Sequence, residues 1–217
     1  MILRKLTLVL ACLAFAATVA GQDGPDGFSD NFEVRRMDTE HFFLWEKDES
    51  IVNMGTRGMT IMSRGETPEN GNVVYFNADA DKWEAEVDIL LYPASKGGLV
   101  LMSDRNHYWG IEADYNEIRV CNSGNIVSRA RNPYGRQLHL KIQYEDGQLV
   151  VSHAPQKTPW SRQDNGNPVV ERKPADKWTN LATVSIDPTL YGLPTRIGMV
   201  AMKKDVVSFR DFWYRRK

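Results

Sequence analysis

Trp83-Glu84-Ala85-Glu86-Val87-Asp88-Ile89-Leu90-Leu91 alternates apolar and acidic residues from Trp83 to Ile89. Side chains along a β-strand point to opposite faces with period two, so this spacing predicts a strand with two unlike sides. Trp83, Ala85, Val87, Ile89 and Leu91 face a core, and Glu84, Glu86 and Asp88 form an acidic row on the other side. A helix would scatter the same residues around its circumference.

The text on either side repeats the pattern. Short β-rich runs occur at Phe42–Trp45, Met59–Met62, Val73–Phe76, Leu99–Met102, Tyr108–Ala113, Ile118–Cys121, Leu138–Tyr144, Leu149–Ser152, Arg196–Met202 and Val206–Tyr214. Turn signals stand between them: Asn70-Gly71, Lys96-Gly97-Gly98, Ser123-Gly124-Asn125 and Asp146-Gly147. No stretch keeps helical periodicity over three turns. The expectation is an all-β sandwich of two antiparallel sheets in one domain. Pro155 to Lys177 breaks the rhythm as a long polar loop, with Trp160 inside it and Trp178 at its end.

The N-terminus reads as a leader. Arg4 and Lys5 precede an apolar run from Leu6 to Ala17, and Thr18-Val19-Ala20 offers a small-residue cleavage site. The predicted organisation is a signal peptide over 1–20, a flexible lead-in over 21–27 and the sandwich over 28–217. The apolar run is too short to span a bilayer, which leads us to expect a secreted protein, extracellular or periplasmic, with no membrane span. Cleavage leaves Cys121 as the sole cysteine, so no intrachain disulfide is expected. Its place in a strand predicts a buried, inert thiol. The formal net charge of −1 argues against nucleic acid as a partner. Arg210, Arg215, Arg216 and Lys217 read as a solvated chain end, and a monomer is expected.

Alternation extends the acidic face to other strands. Tyr108, Glu112 and Asp114 on one, Arg119 on the next, and His139, Lys141 and Gln143 on a later one are expected to share it. Trp109, Ile111, Ala113, Ile118, Val120, Leu138, Leu140 and Ile142 are the complementary core positions. Carboxylates, Arg, His and Tyr on one face can hold a polyhydroxylated ligand, or can simply pair across strands on a solvated surface. Among the many aromatics, Trp160, Trp178 and Tyr191 lie in or beside loops and are the expected stacking platforms. Asp30 and Asp211, near opposite chain ends, are placed to hold a structural Ca²⁺ together with backbone carbonyls if those ends run side by side. The four histidines lack metal-ligand spacing, and no other cofactor is implied.

Two resemblances follow. Glu86-Val87-Asp88 is similar to the start of the Glu-x-Asp-x-(x)-Glu motif of laminarinases and related β-glucanases, but Leu90 or Leu91 stands where the acid/base belongs. The order of Ser29-Asp30-Asn31-Phe32, Tyr92-Pro93, Gly98 to Asp104 with Tyr108, Val151-Ser152, Ile197 to Ala201 and Phe209-Arg210-Asp211-Phe212 resembles a second family. That family is the concanavalin A-like jelly-roll domain at the C-terminus of secreted β-xylosidases and arabinofuranosidases, here without the propeller that carries their chemistry. The resemblance implies a jelly-roll sandwich and an association with sugars, not an activity.

The leading expectation is a carbohydrate-binding module for extracellular polysaccharide or oligosaccharide, with Trp160, Trp178, Tyr108 and Arg119 as binding residues. The alternative is a small glycoside hydrolase or polysaccharide lyase with Glu86 as nucleophile or base and Asp88 as helper. Glu112 or His139 would then supply the missing acid. A cell-surface protein-interaction domain is the third possibility.

Overall fold

The computed structural model describes residues 22–24, 27–33, 35–45, 51–55, 58–63, 65–78, 80–104, 106–156, 177–186, 196–203 and 205–217. The segment expected as a leader, Trp160 and Tyr191 lie outside the described residues, as does nearly all of the stretch 155–177 expected as a long loop. The described strands are β1 (Gln22–Gly24), β2 (Gly27–Asp30), β3 (Phe42–Leu44), β4 (Val52–Gly55), β5 (Gly58–Met62), β6 (Asn72–Asn77), β7 (Trp83–Leu91) and β8 (Lys96–Met102). They continue with β9 (Tyr108–Ala113), β10 (Glu117–Asn122), β11 (Asn125–Arg131), β12 (Gln137–Glu145), β13 (Gln148–Pro155), β14 (Thr179–Ser185), β15 (Arg196–Met202) and β16 (Val206–Arg216).

Two antiparallel sheets stack face to face. One runs β1-β2-β16-β7-β12-β13-β14, with the β4–β5 hairpin joined through β5 to β16. The other runs β11-β10-β9-β8-β15-β6-β3. The stretch that announced the fold, β7, sits mid-sheet between β16 and β12. Its apolar side is sealed, with Trp83, Ala85, Val87, Ile89 and Leu91 all at 0% exposure. Ile111, Ala113, Leu140 and Ile142 meet them in the same core, while Trp109 packs at its margin and is only partly buried.

Two predicted turns close as two-residue hairpins. Ser123-Gly124 joins β10 to β11 and Asp146-Gly147 joins β12 to β13, each with positive φ at both residues. That backbone matches the twist of the flanking strands, and glycine enters it without a Cβ clash. Lys96-Gly97-Gly98, expected as a turn, instead opens β8. A side chain at Gly98 would collide with the backbone of Ile111, so glycine serves close strand approach there. At the N-terminal end Gln22–Gly24 pairs antiparallel with β2.

β16 carries the most consequential irregularity. Arg210 pairs with Asp88 but Trp213 pairs with Glu86, so one extra residue is accommodated on β16. Asp211 takes it up at φ 52°, a left-handed backbone that Asp tolerates better than most residues. The bulge lets Phe209, Phe212 and Tyr214 all enter the core while Arg210 and Trp213 point outward. Inside, Phe212 meets Phe42 edge-on at 5.4 Å and Phe76 at 5.5 Å, tying the two sheets together.

Candidate functional site

The outer face of the nine-stranded sheet reads as a grid, because directly opposed residues share a face. Arg210, Asp88 and His139 form one row across β16, β7 and β12. Trp213, Glu86 and Lys141 form the next, and Arg215, Glu84 and Gln143 the third.

His139 is the hub. Its Nδ1 lies 2.8 Å from Asp88 Oδ1 and its Nε2 lies 3.2 Å from Glu86 Oε2. His139 Nε2, Glu86 Oε2 and Asp88 Oδ1 lack well-directed hydrogen bonds, so charge and proximity hold these contacts as ion pairs. Burial alone would lower the imidazole pKa, but the two carboxylates outweigh it and raise it to about 9. His139 is therefore an imidazolium at neutral pH. Burial also pushes the Glu86 carboxyl up, and His139 and Arg215 more than reverse it, leaving it below its ordinary value. Arg215 Nη1 donates to Glu84 Oε1 and Glu86 Oε1, both at 2.8 Å. Arg210 Nη2 stands 3.9 Å from Asp88 Oδ2, and Lys217 Nζ 3.3 Å from Glu84 Oε2. Glu86, Asp88, His139 and Arg210 are all buried.

This corrects the expectation of a solvated C-terminal charge cluster. Arg210 is 1% exposed, and Arg215 and Lys217 neutralise the acidic row. A charge taken out of water must find a partner, and these three are the partners of Glu84, Glu86 and Asp88.

Two rings border the grid. Trp178, half-buried, meets His139 edge-on with centroids 5.0 Å apart and carries the Lys141 ammonium 4.3 Å over its face. Trp213, also half-buried, lies under the Arg215 guanidinium at 4.9 Å. Two strand spacings of about 4.8 Å separate the backbones of Trp213 and Lys141. Trp178 was legible as a loop ring. Trp213 was missed, because uninterrupted alternation from Phe209 sends it inward.

The structure does not bring Tyr108, Glu112 and Arg119 to this face. They lie on β9 and β10 of the other sheet, so Glu112 cannot serve as an acid beside Glu86. Tyr108 is buried, its hydroxyl accepting from Gly124 N at 2.8 Å, and burial raises its pKa. Glu112 is buried in an ion pair with Lys96. Arg119 donates to Glu117 and Asp114 at 2.9 and 2.8 Å, which commits its guanidinium within the protein. Cys121 is buried, with its thiol pushed up to about 12, as an inert thiol should be.

Asp30 and Asp211 do fall on neighbouring strands, one residue out of register. Asp30 Oδ1 accepts from Phe32 N at 2.6 Å, and burial raises the carboxyl to about 6. Asp211 lies 3.5 Å from Arg210 Nε. Among the described residues no group of three or more His, Cys, Asp or Glu is placed to hold a metal.

No protein-family model matches the sequence, and no curated protein matches it at a significant level. Solved structures do match. A xylan β-1,4-xylosidase from Bacillus halodurans superposes with a TM-score of 0.67 at 13% identity, over 89% of this chain and 40% of that one. A GH43 protein from Bacillus licheniformis gives 0.70 at 14% identity, over 89% and 40%. The fold is a concanavalin A-like jelly roll. A Crh5 transglycosylase matches this jelly roll at 0.53 and 9% identity, over 91% of this chain and 89% of its own. The chain spans 40% of the length of the two bacterial structures, and the identities establish the likeness of fold alone.

Proposed function

We propose that this jelly roll is a secreted carbohydrate-binding module for extracellular polysaccharide, with its binding site on the outer face of the nine-stranded sheet. The observation that carries the reading is the pair of half-buried rings, Trp178 and Trp213, at the two borders of the charged grid. Aromatic rings stack on the apolar faces of sugar rings, and the Lys141 ammonium supplies a hydrogen-bond donor between them. The polysaccharide-acting neighbours are in keeping with such a ligand.

The hydrolase reading rests on Glu86 and Asp88 lying on one face with His139 between them. Three features weigh against it. Both carboxylates are buried and ion-paired, they hold the His139 proton with a pKa raised to about 9 and so make it a weak acid at neutral pH, and Leu90 and Leu91 stand where a third carboxylate belongs.

Affinity gel electrophoresis against xylan and mixed-linkage β-glucan tests the proposal. Trp178→Ala and Trp213→Ala should each weaken retention about 5- to 150-fold, the equivalent of roughly 1–3 kcal/mol for one stacking ring. Both variants should keep most of their thermal stability, since neither ring is sealed in the core. Undiminished retention in both would overturn the assignment of this face. Reducing-end release by the wild type that disappears in Glu86→Gln would replace binding with hydrolysis.

A further inference from the structure

The opposite face of the sandwich holds an aromatic group that the proposed site does not use. Phe43 and Tyr75 are directly opposed on β3 and β6 and stack at 5.4 Å. Trp45, just past β3, meets Tyr75 edge-on at 5.7 Å. The Arg196 guanidinium carbon lies 5.2 Å from the Trp45 centroid and 5.4 Å from that of Tyr75. Its Nη1 donates to the Ser103 carbonyl at 2.7 Å, which fixes the plane of the fork. Beneath them Gly198 leaves no room for a side chain, since a Cβ would come within 3.0 Å of Val73 Cγ1 and Met102 Sδ. The floor is therefore packed, while Phe43 is 36% exposed and the other three side chains are partly open.

Arg196 is paired differently from the other buried or half-buried arginines of the two faces. Arg119 and Arg215 each bridge two carboxylates, and Arg210 stands beside Asp88 and Asp211. Among the described residues Arg196 has a carbonyl and two rings, but no carboxylate. Rings grouped around a cation already in place repel a cationic guest and favour an anion. A flat guanidinium fork matches a carboxylate, and the neighbouring rings match a flat-sided ring.

We propose that Phe43, Trp45, Tyr75 and Arg196 form a second binding site, for a hexuronate ring: a pyranose that stacks on the aromatics and gives its carboxylate to Arg196. With one cation in the group and a net charge of −1 on the chain, the fitting ligand is an isolated uronate on a neutral glycan rather than a polyuronate. The site is independent of Trp178 and Trp213, which lie on the other sheet or beside it.

Glucuronoxylan and its carboxyl-reduced form differ only in the charged group, and affinity gels of the two separate the contributions. The wild type should be retained about tenfold more strongly by glucuronoxylan, as one charge-assisted contact implies. Arg196→Gln should erase that preference, and the Trp178→Ala/Trp213→Ala double variant should keep it. Equal retention of the wild type by the two polymers overturns the proposal. So does a preference that survives in Arg196→Gln, or one that vanishes in the double variant. Should Arg196→Gln melt early, Arg196→Lys keeps the charge without the fork. It should lose most of the preference, and full retention there would also overturn the site.

Discussion

Phe212→Ala lowers the unfolding free energy by about 3–5 kcal/mol, the range for emptying a buried aromatic site. Phe212 is at 0% exposure and touches rings from both sheets: Phe28 and Phe32 near the N-terminal strands, Phe42 on β3 and Phe76 on β6. Phe28, Phe42 and Phe76 belong to separate strands held by backbone ladders, so they cannot collapse far into the void. For a domain of this size the loss corresponds to about 6–20 °C in Tm. Chemical denaturation followed by Trp fluorescence measures it. A loss below about 1 kcal/mol would mean that the aromatic cluster does not join the sheets.

His139→Ala has a comparable effect through charge. It leaves Glu86 and Asp88 buried without the cation between them, and breaking such a pair costs about 3–5 kcal/mol. The pH dependence is a separate signature. The folded-state pKa of about 9 lies above the ordinary 6.5, so the imidazolium stabilises the fold fully below about 6.5. That contribution, on the order of 3 kcal/mol, is lost as pH rises through about 9. Glu86 acts at the other end: its lowered pKa contributes stability above its ordinary value that is lost in acid. Wild-type stability should therefore fall between pH 7 and 10, and His139→Ala should lack that fall. An unchanged alkaline slope in the variant would remove His139 as the group responsible.

The same residues mark where sequence reasoning ended. Alternation along β7, β9 and β12 is a local property of an extended backbone, so the inward sets Val87 and Ile89, Ile111 and Ala113, and Leu140 and Ile142 were readable without a structure. The hairpins at Ser123-Gly124 and Asp146-Gly147 were readable for the same reason, since their positive φ angles are written in the residue types. The edge strands β11 and β14 were not, because exposed edges carry no apolar alternation to see.

Which strands lie side by side is not local. Glu112 obeys the same alternation as Glu86, yet β9 pairs with β8 and β10 in one sheet while β7 pairs with β12 and β16 in the other. Only that pairing decided that Glu86 and Asp88 meet His139 from β12 and Arg210 and Arg215 from β16. The bulge at Asp211 decided the rest. One extra residue, accepted because three aromatic rings then fit the core, turned Trp213 to the outer face and brought Arg215 over the acidic row. The chain thus carries its strand periodicity, turns and acidic row in its own residue order. The composition of the site depends on strand neighbours and a register shift, which are settled by how side chains far apart in sequence pack together.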